Sequence, residues 1–288
     1  MKIVLCSPLF VRPNSLDYSY WNIYVPLTQL GHQVEYYDYT RHGSFKQWLS
    51  SRGESPDLIF SIGTGHEGQE YYDMFKELLD SDINTVNLFC DDAWRYEDYS
   101  SKVYKNFKNV ITTERNFLDK YDGVNRLYMT WPVNGDLYDL HKCNRTNLLA
   151  SYGGFTEYKS KLFGASIRPI VQPSTVFYED IVSLLGRSKI CVCSSDNRGR
   201  QQTKARVFEA AAAGCVILTE DYPDIDVHFS KTEIIKFSGS VMMNKIIEKL
   251  IEKPDLVEYF ASNSSKAFKE KYEAKIVLSK ILNRLQEE

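Results

Sequence analysis

Four cations, Arg198, Arg200, Lys204 and Arg206, fall within nine residues. Guanidinium and ammonium groups at that density suit a diphosphate, because they neutralise the charge that builds on it when its ester bond breaks. A solvated charged loop is the alternative for Arg198 and Arg200. Lys204 and Arg206 instead open a helix expected over residues 203–213, whose amino end offers free N–H groups and a positive dipole to phosphate oxygens. Glu209 lies one helical turn after Arg206 on the same face. Its two carboxylate oxygens suit a pair of hydroxyls such as those of a ribose. The alternative is a surface ion pair between Arg206 and Glu209.

Three other constellations carry candidate chemistry. Ser151-Tyr152-Gly153-Gly154 follows a strand-like run, and glycines there let backbone N–H groups approach a phosphate; a plain turn is the alternative. Asp91-Asp92 follow the apolar run 85–90 directly, where one carboxylate suits acceptance of a proton from a hydroxyl. Capping of the next turn would use the same residues. Gly63-Thr64-Gly65-His66-Glu67-Gly68 matches G-x-G-x-x-G but follows a later strand, so a nicotinamide fingerprint is discounted. His66 or Glu67 in that loop would meet a hydroxyl, or be exposed without a role. Trp94 is the aromatic to test as a stacking platform, whereas Tyr18, Tyr20, Trp21 and Tyr24 at helical spacing read mainly as core.

Metal chemistry has little support. Asp80-Ser81-Asp82 precedes a strand, Asp224-Ile225-Asp226 lies in the second half, and the five histidines show no H-E-x-x-H spacing. No metal site is therefore assigned. The six cysteines form no C-x-x-C pair and read as buried free thiols, not a disulfide framework.

These residues need elements to position them. Strand-like runs at 2–7, 33–39, 57–62, 85–90 and 110–113 alternate with helical periodicity at 17–30, 45–50 and 70–79, and Pro26 implies a kink or a break in the first helix. Residues 130–147 read as a linker. A second series follows, with strands at 147–151, 167–171, 189–193, 215–219 and 234–237. Such alternation predicts an α/β fold with parallel sheets. The site loops lie at the carboxyl ends of strands, where such sheets bind ligands.

Composition agrees. The 288 residues carry 43% hydrophobic and 25% charged residues, which argues for a folded soluble chain and against disorder. A net charge of -3 gives no overall attraction to nucleic acid. No apolar run approaches a membrane span, and the short apolar start reads as a first strand, so a cytoplasmic protein is expected.

Residues 188–220 resemble the nucleotide-sugar-binding segment of GT-B glycosyltransferases, most closely the CgeB-like branch: strand, polar loop, an Arg-x-x-Glu helix with an alanine-rich end, glycine, strand. Leu30-Gly31-His32-Gln33-Val34, Phe89-Cys90-Asp91-Asp92, residues 128–134 and Phe229-Ser230-Lys231-Thr232-Glu233 extend the likeness over most of the chain. The resemblance implies two Rossmann-like lobes with parallel sheets facing a central cleft. Residues 1–135 would be the acceptor side, 146–262 the donor side, and 263–288 a helix returning to the first lobe. It implies a metal-independent hexosyl- or pentosyltransferase with no cofactor, using a nucleoside-diphosphate sugar, a UDP-sugar first. Donor binding falls to Gly153, Gly154, Arg198, Arg200, Lys204, Arg206 and Glu209, catalysis to Asp91, Asp92 and His66, and acceptor stacking to Trp94. The acceptor would be a carbohydrate, a small molecule or DNA. Two departures stand out: Gln201 occupies the position of a first glutamate in many retaining relatives, and the chain is short for two full lobes. A DNA-base glycosyltransferase and a non-catalytic nucleotide-binding protein are the rival readings.

Overall fold

Strands β1 (Lys2–Cys6), β2 (Gln33–Tyr37), β3 (Leu58–Ser61), β4 (Asn84–Phe89), β5 (Asn109–Thr112) and β6 (Asn125–Tyr128) form one sheet of order β2-β1-β3-β4-β5-β6. All its pairings are parallel. The computed structural model describes residues 1–12, 15–63, 67–140, 144–153, 157–163, 170–171, 178–194, 203–222 and 224–287. Two compact units emerge: Met1–Thr130 with Val277–Glu288, and Trp131–Ile276.

In the first unit, β3 is buried along its whole length, as a central parallel strand covered on both faces must be. Helices α1 (Val25–Gln29), α2 (Phe45–Ser50) and α3 (Gln69–Glu77) follow β1, β2 and β3. Pro26 does not end the helical run: α1 continues directly from a π-helical stretch, Tyr20–Tyr24, and such a wide turn next to a proline absorbs its missing N–H. Phe45, Tyr71, Phe75, Phe89, Phe107 and Tyr121 fill one core face. Strand β6 was not expected from the sequence. It has four residues, only Leu127 is fully buried, and the run reads as polar because it lies at the sheet edge.

The second unit holds β7 (Asn147–Ser151), β8 (Ile170–Val171), β9 (Ser188–Cys193), β10 (Val216–Glu220) and β11 (Ile234–Phe237), ordered β8-β7-β9-β10-β11 and again parallel. The stretch read as a linker contains helix α4 (Gly135–Leu140). Asn134 and Glu273 accept the N–H groups of Asp136 and Gly135 at 3.2 and 2.9 Å, which satisfies its first turn. Helices α5 (Glu157–Phe163), α6 (Tyr178–Gly186) and α7 (Ala205–Ala212) cross between strands.

Ala210, Ala211 and Ala212 of α7 are buried, and Phe208 on the same helix packs among His228, Phe229 and Tyr272. Truncating Phe208 to alanine would cost about 3–5 kcal/mol. Gly214 has φ 67°, the left-handed conformation that ends a helix and suits glycine. Helices α8 (Ser240–Glu252), α9 (Pro254–Lys271) and α10 (Ala274–Gln286) close the chain. Within the first unit, Asn84 Nδ2 donates to the Leu285 carbonyl near the end of α10 at 3.1 Å.

Both units are therefore Rossmann-like α/β folds with parallel sheets. Among the described residues, no helix is long and apolar enough to cross a membrane.

Candidate functional site

Strand order creates the site in the second unit. From β7 the chain steps outward to β8, then returns to the other side of β7 as β9. The crossovers on the two sides of that point diverge, leaving a crevice outside the carboxyl ends of β7 and β9. Ser151, Tyr152 and Gly153 come from the end of β7, Ser194 from the end of β9, and Lys204, Arg206 and Glu209 from the start of α7 and the residue before it.

Gly153 has φ 92°, and a Cβ there would stand 3.0 Å from Arg206 Nη2 and 3.5 Å from Lys159 Nζ. Only glycine lets the backbone approach these two cations so closely. Lys159 is buried and donates to the Tyr152 carbonyl at 2.8 Å. Lys161 points elsewhere: it is exposed and pairs with Glu157 at 2.8 Å. Arg206 Nη1 donates to the Ser194 carbonyl at 3.0 Å, and its guanidinium carbon lies 5.8 Å from the Tyr152 ring centroid. The hydroxyls of Ser151 and Ser194 are buried and have no hydrogen-bond partner among the described residues.

Glu209 is 3% exposed. Its carboxylate accepts from the Tyr152 and Tyr178 hydroxyls. Burial raises its pKa above the ordinary value, opposed by the two phenol bonds and the nearby Arg206 charge. Among the described residues, Arg206 and Glu209 form no direct ion pair; each is engaged elsewhere. Lys204 takes the residue position before α7 with extended backbone. Thr203 before it donates through N and Oγ1 to Asp224 Oδ2, at 3.0 and 2.6 Å. Burial raises the Asp224 pKa, but the bonds from His228 and Thr203 outweigh it and hold the carboxyl low. Asp224 therefore anchors the loop entering α7.

In the first unit, the structure corrects one expectation. Asp92 is 1% exposed and accepts from Ser100 Oγ, Thr112 Oγ1 and Tyr121 OH, each at 2.7 Å. Three hydroxyl donors and full burial commit it to holding the fold, not to taking a proton from a substrate. Asp91 is half-buried with φ 62°, the only left-handed non-glycine residue among those described. Asp tolerates that conformation better than most residues, and such outliers gather at functional sites. Trp94 is half exposed, with the Arg95 guanidinium 5.7 Å from its ring. Glu67 accepts from Tyr72 OH, which lies 2.8 Å from Tyr99 OH. A Cβ at Gly63 would collide with that Tyr99 hydroxyl, so this glycine serves packing. His66, Gly154, Arg198, Arg200 and Gln201 lie outside the described residues.

Residues 143–283 match the family model described as glycosyl transferase-like, Glyco_trans_1_2. Solved structures extend the likeness of fold to the whole chain. An alpha-glucosyltransferase in complex with UDP-glucose and abasic-site DNA aligns with TM-score 0.70 at 9% identity, covering 99% of both chains. The sucrose-phosphate synthase of Thermosynechococcus elongatus gives 0.67 at 10% identity over 99% of both chains. HepE of Anabaena in complex with UDP gives 0.64 at 12% identity over the full length of both. No curated protein sequence is significantly similar to this one. The fold is GT-B, the two-unit architecture of these glycosyltransferases.

The crevice at β7 and β9 thus lies inside the glycosyl transferase-like segment. A cavity of about 630 Å³ lies at the opposite, amino edge of the same sheet, lined by Arg145, Lys189, Gly214 and Ile251 among others, and takes no part in that crevice. Sequence reasoning missed Tyr152 and Tyr178 as partners of Glu209. Periodicity cannot reveal them, because their hydroxyls meet the carboxylate only through the fold.

Proposed function

We propose that this GT-B glycosyltransferase transfers a sugar from a UDP-sugar to an acceptor hydroxyl. The observation that carries the reading is the meeting of the Gly153 backbone, Arg206, Lys159 and Glu209 at the switch point of the second unit. In this reading the diphosphate rests against the Gly153 turn and the cations, with Lys204 at the helix entrance. Glu209 accepts hydroxyls of the ribose. Gly154, Arg198 and Arg200 complete the donor side.

The bond between the sugar C1 and the β-phosphate oxygen breaks, the acceptor oxygen bonds to C1, and the nucleoside diphosphate leaves with the electron pair. Arg206 and Lys204 stabilise the charge that grows on the leaving oxygen, a type of interaction worth about 3–4 kcal/mol per donor. No step here calls on a metal or cofactor. The first unit receives the acceptor, with Trp94 as platform and Asp91 or His66 taking its proton. The Arg-x-x-Glu helix further supports a place in the CgeB-like branch. Five described cysteines are free thiols, which suits a reducing, cytoplasmic setting.

A melt of the full chain with UDP, GDP, ADP, CDP or dTDP, with and without magnesium, tests this reading. UDP without magnesium is expected to stabilise the protein, by about 2.7 kcal/mol at a hundred times Kd. A cooperative melt that no diphosphate shifts would sink it. DNA is the second acceptor reading, since one enzyme of this fold is held with both UDP-glucose and DNA. Transfer from UDP-glucose to duplexes with and without hydroxymethylated bases decides between that and a carbohydrate or small-molecule hydroxyl.

A further inference from the structure

Helix α7 carries a carboxylate into the interior of the second unit, where Glu209 is 3% exposed. An ionised carboxylate in such a place needs donors, because nothing else replaces its hydration. Its donors are phenols. Tyr152 donates from the end of β7 and Tyr178 from the start of α6. Behind them, Tyr138 of α4 has its hydroxyl 3.1 Å from that of Tyr178. Tyr138, Tyr152 and Tyr178 are all buried.

We propose that Tyr152 and Tyr178 are positioning residues, which hold the Glu209 carboxylate fixed as an acceptor for the ribose hydroxyls of the donor. This inference rests on the reading of Glu209 as the ribose-binding group. A carboxylate has about four lone-pair directions, so two phenol bonds leave capacity for two ribose hydroxyls. Phenols stay neutral, so the carboxylate keeps its full charge for the ligand. Burial pushes the Tyr138 and Tyr152 hydroxyls far above their ordinary pKa, which keeps both as donors.

The arrangement also separates two tasks. Arg206 is turned to the Ser194 carbonyl and the Gly153 turn, where a phosphate would be held, so it is not spent on the carboxylate. Two tyrosines from separate elements reach one acid, and the third, Tyr138, backs Tyr178. Phenylalanine would fill the same volumes without the need to satisfy buried hydroxyls. The hydroxyls therefore have their purpose in the carboxylate.

Calorimetric titration of the full-length protein with UDP and with 2′-deoxy-UDP tests the proposal on the wild type, Tyr152→Phe, Tyr178→Phe and Glu209→Gln. The wild type is expected to prefer UDP by about tenfold or more, the scale of a hydrogen bond to a charged group. Either phenylalanine variant should lose most of that preference while binding 2′-deoxy-UDP nearly as well as the wild type does. Glu209→Gln should lose it too. Retention of the wild-type preference in both phenylalanine variants overturns the proposal. An equal loss of affinity for the two ligands also overturns it, since that marks a merely structural role. A wild type that binds UDP without preference instead overturns the ribose reading of Glu209, a separate failure. The two variants come from different elements, so misfolding of one, seen in its melt, leaves the other to decide.

Discussion

Arg206 joins two strand ends: Nη1 donates to the Ser194 carbonyl at 3.0 Å, while Nη2 lies 3.0 Å from where a Gly153 Cβ would stand. One guanidinium thus ties α7 to the end of β9 and faces the turn after β7. A planar fork with donors on both sides suits that bridge, and a lysine point charge does not.

Arg206→Ala is expected to lower kcat/KM with a UDP-sugar roughly 100- to 1,000-fold, as for removal of one stabilising donor. Arg206→Lys should recover only part, because it keeps the charge but not the fork. The comparison to make is the affinity gap between UDP and uridine, which should shrink in Arg206→Ala. A variant with wild-type turnover and an unchanged gap would remove Arg206 from the diphosphate site.

The adjacent aspartates should separate. Asp92→Asn weakens three hydroxyl bonds in the interior of the first unit and is expected to cost about 2–3 kcal/mol of stability, with little loss of transfer per folded molecule. Asp91→Asn keeps a residue that tolerates φ 62°, so it tests the charge alone. It should leave UDP affinity intact and impair transfer at least tenfold if Asp91 takes the acceptor proton. Melts and transfer assays on both variants check this, and full activity in Asp91→Asn would move the base elsewhere.

The expected helix at 203–213 appears as Ala205–Ala212 with Gly214 at its end, because small residues, helical spacing and a glycine cap all point the same way. The placement of Arg206 and Glu209 one turn apart on that helix was legible for the same reason. The geometry around them was not. Asp92 looked identical to Asp91 in a strand-end pair, and only the fold shows three hydroxyls closing on one of them. Lys159 and Lys161 lie two residues apart on one short helix, and spacing alone does not separate them, yet one is buried under Tyr152 and the other exposed. Helix α4 was hidden by its Asn-Gly start, a turn signal that here caps a helix.

Trp94 offers a half-exposed ring beside a guanidinium. If it stacks on the acceptor, Trp94→Ala should raise the acceptor KM about fivefold or more, in line with roughly 1 kcal/mol for an aromatic contact. The donor KM should stay put. A steady-state matrix in both substrates reads this directly, and an unchanged acceptor KM would end the platform role.

Glu209→Gln should set stability against binding. Burial raises the Glu209 pKa in the folded protein, so the folded state binds more protons than the unfolded one between the ordinary carboxylate value and the raised one. That contribution to stability is largest below the ordinary value and is lost as pH rises through the folded one. Glutamine keeps the shape and removes the charge, so the variant is expected to melt higher than the wild type at neutral pH. The advantage should shrink as the pH falls towards the acid range, where the wild-type carboxyl takes up its proton. UDP affinity should move in the opposite sense, lower in the variant at neutral pH. In the wild type it should decline with acidification as the acceptor carboxylate is lost. Burial pushes the Tyr152 and Tyr138 hydroxyls far above their ordinary range, so neither adds a competing titration. Melts and UDP titrations across pH 5–8 test both halves; a variant that is less stable and equally good at binding UDP would show that the buried carboxylate serves the fold instead of the donor.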